Sequence, residues 1–511
     1  MQKISNIKIH PSEGENGLKA KAARLARMRC EDIKYFRIVK KSLDARDKRD
    51  IKWIYTVELS DRDERVEREF MRADKSGRVL VVGAGPAGLF AALYLARAGL
   101  KVTLVERGKS VEDRTKDVAS FSLSGRLNTE SNIQFGEGGA GTFSDGKLNT
   151  QVNNPLITRV LRDFVEFGAP EEVEYLSKPH VGSDRLPAVV SAMRREIISL
   201  GGEVRFNERL KDITVKDGKV VRVELDGGGE FDEIVLAVGH SARDTFEMLH
   251  RRGVAMEQKA FAVGFRIEHP QQLINRAQYG NPPFALPTAD YKLVSHAADR
   301  SAFTFCMCPG GFVVPATSEE GGVVTNGMSN YLRDGENANS AIIAEVRTED
   351  FASESPLAGV EFQRRLEREA FVAGGGGYAA PGCTVGDFVR KRGFSSLGGL
   401  VRPTYPLGVN PYPLHTLLPD GVSDAISLAI LDMDKRLKGF AEGEAVLTGV
   451  ESRTSSPLRI IRGEGFASVS ASNLYPCGEG AGYAGGITSA AADGIRVAEA
   501  IIKKYKSVDN A

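Results

Sequence analysis

The sequence predicts an α/β fold with a parallel main sheet, whose main domain is interrupted by a second, β-rich domain. Three observations predict it. Residues 79–106 have the pattern of a buried strand, a glycine turn, a helix and a second strand. Residues 473–495 have the order strand, glycine loop and helix. Between them, residues 256–462 begin with strand patterns rather than helical ones, so the two glycine elements belong to one domain that the β-rich segment separates.

The first glycine turn has the layout of a site for a dinucleotide. The apolar strand 79–82 leads into a turn that carries Gly83, Gly85 and Gly88 with G-x-G-x-x-G spacing, and Pro86 opens the following helix. In this spacing the first glycine permits the tight turn, the second lets the backbone approach a pyrophosphate, and the third lets the helix pack on the strand. The helix N-terminus then offers free N–H groups to the phosphates.

Glu106 ends the second strand, 101–105, roughly 20 residues after the turn, where an acid accepts hydrogen bonds from a ribose. This acid fits either NAD or FAD. The C-terminal element discriminates between them, because it supplies a second helix, from about Ile487, behind a loop that contains Glu479. Two glycine loops that each precede a helix, about 400 residues apart, indicate the two ends of one long ligand.

This pair of elements resembles the glutathione-reductase-like flavoproteins, which bind FAD. After about residue 76 the chain is also similar to a bacterial family of FAD-dependent dehydrogenases whose function is uncharacterised. The segments 134–147, 236–244 and 450–457 carry that closer match, together with the C-terminal loop. The resemblance implies that Glu479 holds a ribityl hydroxyl and that the backbone N–H groups of residues 485–487 face the flavin N1–C2=O edge.

The FAD-binding residues expected from the motif and from the resemblance lie in a few short segments. They are Gly83, Ala84, Gly85, Pro86, Ala87, Gly88, Glu106, Arg107, Gly108, Gly138, Gly139, Ala140, Thr142, Gly239, Gly478, Glu479, Gly485, Gly486 and Ile487.

For two side chains near these segments, Lys147 and His240, the sequence leaves two interpretations each. Lys147 follows the glycine-rich run and either places a positive charge near the flavin N1–C2=O region or the substrate, or is a solvated lysine. His240 follows Gly239, and its alternatives are a proton donor near the cofactor and a loop histidine at the adenine end, which we favour.

The catalytic groups are expected from the second domain, residues 256–462. The two loops on the flavin side, 136–147 and 478–488, contain no strong acid–base pair. The candidates are Arg402, Tyr405 and Arg453, with Lys147 from the flavin side. An arginine fork suits a carboxylate or phosphate, and Tyr405 would orient the substrate or move a proton. Salt-bridged loop arginines are the alternative. We expect the Pro- and Gly-rich stretch 374–413, which contains the first two candidates, to be ordered partly against the cofactor or substrate.

Cys306 and Cys308 are not expected to form a redox pair. The resembling disulfide reductases place a C-x4-C pair after the first FAD-binding helix, where this chain has none, and we expect the two thiols on opposite faces of their strand. No metal-ligand spacing is present. A second G-x-G-x-x-G after a strand is also missing, so NAD(P)H, if used, would bind transiently.

The composition excludes several classes of protein. The net charge is +1, which argues against a dedicated nucleic-acid binder. The first 75 residues are basic, with 20 Lys and Arg against 14 Asp and Glu, and we interpret them mainly as a solvated face. No apolar leader or run of 18 apolar residues occurs, and the five cysteines are an odd count. We therefore expect a cytoplasmic protein with reduced thiols and no membrane span.

The sequence thus predicts three domains. Residues 1–76 form a small α+β domain, ferredoxin-like by resemblance. Residues 77–255 and 463–511 form a Rossmann-like FAD-binding domain, and 256–462 form the substrate domain. The predicted function is an FAD-dependent oxidoreductase that acts on a small-molecule substrate. The alternatives are a flavin monooxygenase that uses transient NAD(P)H, and an FAD-bound module that interacts with RNA or protein through its basic N-terminal domain.

Overall fold

The computed structural model describes residues 1–64, 69–149, 154–393 and 396–507. The N-terminal segment forms a small antiparallel sheet of order β1-β3-β2 with one helix packed on it. Its elements are β1 Gln2–Ile9, α1 Leu18–Ala26, β2 Tyr35–Asp44 and β3 Lys52–Ser60. The sequence predicts strands over 4–9, 33–41 and 51–59 and a helix over 18–28, and the structure has these elements. The sequence also predicts a charged linker over 60–76, of which residues 65–68 lie outside the described residues.

A complete ferredoxin-like unit has the order βαββαβ, whereas the described residues of this segment supply only βαββ. The small sheet is held against the rest of the chain. The Lys41 N–H donates to the Tyr175 carbonyl at 2.7 Å, and Arg37 pairs with Glu174 at 2.9 Å. The N-terminal unit is therefore docked on the body of the protein through both backbone and side-chain contacts.

The main sheet has five parallel strands in the order β21-β9-β4-β5-β6. They are β4 Arg78–Val82, β5 Lys101–Glu106, β6 Glu203–Phe206, β9 Glu233–Leu236 and β21 Leu474–Pro476. The structure confirms the prediction that the last strand returns to the same sheet as the first glycine turn. An antiparallel hairpin, β7 Asp212–Lys216 and β8 Lys219–Glu224, turns at Asp217 and Gly218 as expected from this dipeptide.

Helix α2 is buried along almost its whole length because it packs between the sheet, α5 and α11. Its alanine-rich sequence suits that position, since small side chains let neighbouring helices approach. The helices of this half are α2 Pro86–Arg97, α3 Val111–Ser124, α4 Leu156–Glu166, α5 Leu186–Ser199, α6 Arg243–Arg251 and α11 Ile487–Lys504.

The second sheet has seven strands in the order β12-β13-β16-β11-β19-β17-β18. They are β11 Phe261–Pro270, β12 Val294–Ser295, β13 Ala302–Cys308, β16 Asn337–Val346, β17 Ala380–Thr384, β18 Val409–Pro411 and β19 Val446–Glu451. Strand β16 was not predicted, although it is central and buried. Three of its first four residues, Asn-Ala-Asn-Ser, are polar and all four are buried, so the segment lacks the apolar alternation that identifies a strand from sequence.

The remaining elements surround this sheet and connect it to the first one. They are α7 Gln271–Tyr279, α8 Ala358–Ala373, α9 Val385–Val389, α10 Asp420–Asp434, the hairpin β14 Phe312–Pro315 and β15 Thr325–Met328, and the pair β10 Met256–Gln258 and β20 Leu458–Ile460. The last pair joins the segments where the chain leaves and re-enters the parallel-sheet half. Among the described residues, none of the helices combines the length and apolar composition needed to cross a membrane.

Candidate functional site

A cavity of about 990 Å³ opens at the carboxyl ends of the parallel strands, and strand β13 of the second sheet forms part of its wall. Val82, Glu106, Ala237 and Cys477 mark the ends of four of these strands, and all four line the cavity. Open α/β sheets bind their ligands at this edge. The volume is near the upper end for a small-molecule site, on the order of 300–1,000 Å³.

The first glycine turn is shaped by close backbone approaches. Gly83 has a φ of +98°, and a Cβ there would lie 2.4 Å from the Ala237 carbonyl oxygen. A Cβ on Gly88 would lie 1.8 Å from the carbonyl oxygen of Gly83. Neither position has space for a side chain, and this lets α2 begin directly after the end of β4. Residues 85–87, at the N-terminus of α2, line the cavity, where a helix has backbone N–H groups without intrahelical partners.

Glu106 lines the cavity and also organises its backbone. One carboxylate oxygen accepts the Ala84 N–H at 2.8 Å, and the other accepts the N–H groups of Gly108 and Gly136, each at 2.9 Å. A carboxylate has about four acceptor positions, so one position is left for a ribose hydroxyl. The ribose role stays a prediction, and the structure adds a second role in holding three loops together.

The two glycine-loop regions meet at the far end of the cavity. Ala140, Ile487 and Lys147 all line it there, and the Thr488 hydroxyl donates to the Leu148 carbonyl at 2.7 Å. The helix α11 therefore begins against the loop that follows α3. Both loops that the resemblance assigns to the flavin form one continuous wall.

The FAD-binding residues predicted from the sequence divide into two groups. The larger group lines the cavity: Gly83, Gly85, Pro86, Ala87, Glu106, Arg107, Gly139, Ala140, Gly239, Glu479, Gly485, Gly486 and Ile487. The others do not line it: Ala84, Gly88, Gly108, Gly138, Thr142 and Gly478. Arg107 lines the cavity while its guanidinium pairs with Glu130 and Asp244, at 2.8 and 2.9 Å.

Glu479 and His240 approach each other on the cavity wall, with 3.9 Å between Oε1 and Nε2. Burial raises the pKa of Glu479 to about 7 despite the nearby Lys259. Burial, with Arg453 and Arg243, lowers the pKa of His240 to about 4. His240 is therefore neutral at pH 7, and it lies beside the residue that the resemblance assigns to the ribityl chain.

Lys147 belongs to a charge cluster that joins the two halves of the protein. Its ammonium group donates to the Met307 carbonyl and lies 3.3 Å from Asp145. Arg333, from the loop after β15, donates to the same carboxylate at 3.0 Å. Burial opposes ionisation of Asp145, but the two cations outweigh it and lower its pKa to about 2. Two cations therefore share one carboxylate, which leaves a net positive charge.

Arg453 lines the cavity, but its guanidinium is already engaged. It donates to Glu367 at 3.0 and 2.8 Å and also to the Ser318 hydroxyl. Glu367 accepts two further hydrogen bonds from Arg243, at 2.9 and 2.8 Å. The structure thus shows a buried ion network at Arg453, in place of the free arginine fork expected for a substrate.

Arg402 and Tyr405 require a correction, because neither lines the cavity. Arg402 is exposed to solvent. Tyr405 is 4% exposed within the core of the second sheet, and its hydroxyl donates to the Tyr378 carbonyl at 3.0 Å. The stretch 374–413 contributes β17 and β18 to that sheet, and none of its described residues reaches the cavity. Its Pro- and Gly-rich composition indicated a loop, but strand pairing organises much of it.

Several residues of the cavity wall were not predicted from the sequence to belong to the site. They include Lys259, Lys292, Cys306, Asn326 and Arg333. These residues come from separate strands and loops of the second half, and no local spacing connects them. Only the topology of the seven-stranded sheet brings them together.

Models of protein families match three parts of the chain. A model described as FAD dependent oxidoreductase matches residues 78–132. A model described as FAD-dependent protein, C-terminal domain-like, matches residues 260–454. A domain of unknown function matches residues 1–60. The chain is also 48% identical over 527 aligned positions to a protein of Clostridium beijerinckii described as uncharacterised, an alignment that covers 98% of this chain and 99% of that protein.

The chain belongs to the FAD-dependent oxidoreductases. It is of the same family as the clostridial protein, and it is an enzyme whose cofactor is FAD. Its own residues fit that cofactor. The cavity offers a helix N-terminus at each of its glycine loops, a turn in which a Cβ has no space, and an acid at the end of β5.

Solved flavoenzyme structures are more distant from this oxidoreductase. The L-proline dehydrogenase from P. horikoshii is 12% identical, with a TM-score of 0.35, and the match covers 85% of this chain and 95% of that one. A flavin-dependent brominase is 14% identical, with a TM-score of 0.37, and the match covers 84% and 79%.

Proposed function

We propose that this oxidoreductase is a dehydrogenase that passes a hydride through its non-covalently bound flavin to or from a small anionic substrate. The proposal includes the division into an N-terminal domain of residues 1–76, a Rossmann-like FAD-binding domain of residues 77–255 and 463–511, and a substrate domain of residues 256–462. The glutathione-reductase-like arrangement would place the substrate between the flavin and the substrate domain.

The observation that carries the proposal is the shared carboxylate of Asp145. Lys147 and Arg333 both neutralise it, so this part of the wall keeps an excess positive charge. The cavity lining as a whole contains eight basic and five acidic side chains among the described residues. Carboxylates behind the wall already pair with Arg107 and Arg453. The pyrophosphate of FAD would account for part of the remaining excess, and an anionic substrate for the charge at the Lys147 end.

The residues of this wall have distinct tasks in the proposal. When bound, FAD supplies the ring that accepts or donates the hydride. Lys147 and Arg333 would bind the anionic group of the substrate, and Asp145 would hold both cations in place. Lys292, on the same wall, adds a third basic side chain. Burial lowers the pKa of Lys147 while Asp145 raises it, with a net increase, so the ammonium stays charged at neutral pH.

The N-terminal unit supports a small-molecule enzyme over an RNA-binding module. Among the described residues of this unit, four basic side chains pair with an acid within three residues in the sequence: Arg29, Arg46, Arg49 and Lys52. Arg29 lies 2.9 Å from Asp32, and Arg46 lies 2.6 Å from Asp44. Such pairs leave less free positive charge for a phosphate backbone than the count of Lys and Arg indicates.

The test is an anaerobic screen of small carboxylates and phosphates in which the visible absorbance of the bound flavin is followed. A dehydrogenase substrate bleaches the flavin without any nicotinamide. Bleaching that requires NAD(P)H, with oxygen consumed on addition of the compound, would instead favour the monooxygenase. For an active anion, Lys147→Met should raise KM about tenfold or more, the effect of one charge-assisted hydrogen bond. Lys116→Met, which removes an exposed lysine paired with Asp113, is the control.

A further inference from the structure

Strand β13 is irregular at Cys306, where it forms part of the cavity wall. Cys306 has a φ of +43°, in the left-handed region that residues with a side chain rarely adopt. The pairing of β13 with β16 slips by one residue between Phe305 and Cys308. Bulges of this kind redirect side chains and occur next to active sites. This one lies at Cys306 and Cys308.

The two thiols lie together, contrary to the expectation that they occupy opposite faces. Residues two apart on a regular strand in fact share a face. Here the Cys308 sulfur also donates to the Cys306 carbonyl at 3.3 Å, so it lies against the backbone of the other cysteine. Two cysteines on one face, with one sulfur beside the backbone of the other, are placed as a dithiol that can close to a disulfide requires.

Charged groups from three other segments face this pair. Arg266 of β11 donates to the Cys306 carbonyl at 3.0 Å and to the Cys308 sulfur at 3.7 Å. Lys147 approaches from the glycine-rich loop through its contact with the Met307 carbonyl. Glu451 of β19 lies 3.6 Å from Arg266.

These neighbours make the two thiols unequal. Cys308, Lys147 and Arg266 lower the pKa of Cys306, although its burial opposes this. Burial and the neighbouring Cys306 raise the pKa of Cys308. Cys306 also lines the cavity, whereas Cys308 is 0% exposed. The thiol that lines the cavity is thus the one whose surroundings favour the thiolate, and the other thiol lies behind it.

We propose that Cys306 and Cys308 form a redox-active thiol pair that exchanges two electrons with the enzyme-bound FAD. In the oxidising direction the Cys306 thiolate and the Cys308 thiol form an S–S bond, and the S–H bond of Cys308 breaks. This releases two electrons and one proton, which oxidised FAD, when bound, would accept. In the other direction the disulfide takes up two electrons and one proton and returns to the Cys306 thiolate and the Cys308 thiol. The proposal rests on FAD as the cofactor and not on the identity of the substrate.

The decisive measurement is an anaerobic titration of the FAD-loaded, full-length protein with dithionite, after mild oxidation with diamide and removal of the oxidant. The wild type should take up two electron pairs per bound FAD, one for the flavin and one for the disulfide. Cys306→Ser and Cys308→Ser should each take up one. Cys30→Ser, which removes an exposed thiol far along the chain, should keep two. Uptake of a single pair by the wild type would overturn the proposal, whatever substrate the enzyme uses.

A second measurement needs no variant. Cleavage after Arg300 and Arg333 releases residues 301–333, a peptide that contains Cys306 and Cys308 and no other cysteine. From the oxidised wild type this peptide should be two hydrogens lighter and resist alkylation, and after dithionite it should take two alkyl groups. Two alkyl groups on the oxidised sample would contradict the proposal.

The rate of alkylation by iodoacetamide as a function of pH tests the charge environment separately. In the reduced wild type, Cys306 should react with a midpoint at lower pH than a free cysteine thiol, about 8.5, because the thiolate is the reacting form. Lys147→Met should slow alkylation of Cys306 at pH 7 by about threefold or more, since a cation that favours the thiolate is removed. A midpoint at or above that of the free thiol would remove the assignment of Cys306 as the thiolate of the pair.

Discussion

The two halves of the cavity wall are built on different principles. The parallel-sheet half contributes glycine turns and the first turns of α2 and α11, together with a few side chains such as Glu106 and Glu479. The seven-stranded half contributes side chains, among them Cys306 and Arg333 on the wall itself and Arg266 and Glu451 behind it. The first half thus offers backbone N–H groups and tight glycine turns, whereas the second depends on particular side chains held by buried ion pairs.

This difference determines how each half responds to mutation. A backbone site fails when a side chain is added, because there is no space for it. A site of buried charges fails when one partner of a pair is removed, since the remaining charge has no compensation in a low-dielectric interior.

Gly88→Val should abolish FAD retention and the soluble fold. Even a Cβ at this position would lie 1.8 Å from the Gly83 carbonyl oxygen, and the turn and helix cannot separate without opening the sheet edge. The measurement is the yield of soluble protein and its flavin absorbance. Gly465→Ala is the control, because a Cβ there has no heavy atom within 4 Å. A yellow, folded Gly88→Val protein would show that the turn is less constrained than its geometry indicates.

Glu367→Gln should lower the free energy of unfolding by about 3–5 kcal/mol, the cost of leaving buried charges uncompensated. Glu367 is 2% exposed and accepts hydrogen bonds from both Arg243 and Arg453. Chemical denaturation measures the effect. Glu369→Gln, on the same helix α8 but exposed and 3.9 Å from Arg365, should change stability by less than about 0.5 kcal/mol. Similar losses for the two variants would contradict the contrast.

Glu106→Gln should weaken FAD binding by about tenfold or more, since a charge-assisted hydrogen bond contributes about 1.5–3 kcal/mol. It should also lower the Tm, because the carboxylate holds the N–H groups of Ala84, Gly108 and Gly136. Equilibrium dialysis and thermal denaturation report the two effects. Glu203→Gln, exposed on β6 and paired with Arg205, should change neither. Loss of Tm with unchanged FAD affinity would leave Glu106 as a structural residue only.

Glu451→Gln should show a pH dependence that Glu367→Gln lacks. Burial raises the pKa of Glu451 to about 7, so the folded protein holds this proton more tightly than the unfolded chain does. The stability of the wild type therefore falls as the pH rises from the ordinary Glu range to about 7. The Tm of the variant relative to the wild type should therefore increase between pH 5 and 8. The two arginines lower the pKa of Glu367 against the effect of burial, so its stabilisation is lost only as the pH falls below the ordinary Glu range. Parallel Tm profiles for the two variants over pH 5–8 would contradict this assignment.

Tyr405→Phe and Arg402→Ala should have the smallest effects. Tyr405→Phe removes one neutral hydrogen bond, to the Tyr378 carbonyl, which contributes about 0.5–1.5 kcal/mol. Arg402→Ala alters an exposed side chain and should change stability by less than about 0.5 kcal/mol. Neither should alter FAD affinity or the KM of a substrate found in the screen. A KM effect for either variant would restore the original prediction that these residues contact the substrate.

The elements of the parallel-sheet half could be predicted from the sequence. The turn at Gly83, the acid at Glu106 and the helix that starts at Ile487 are all local patterns, because a strand, a turn and a helix N-terminus are each formed by neighbouring residues. The D-G hairpin and the discontinuous sheet followed from the same kind of signal.

The side chains of the other half of the wall could not be predicted from the sequence, because they meet only in the tertiary structure. Arg266, Cys306, Arg333 and Glu451 lie on four separate segments of the chain, and Arg402 and Tyr405 were assigned to the site although strand pairing places them away from it. Buried polar strands such as β16 have no alternating pattern, since both of their faces are covered. Which charges share a buried space depends on sheet order and register, and these arise from contacts between residues far apart in the sequence.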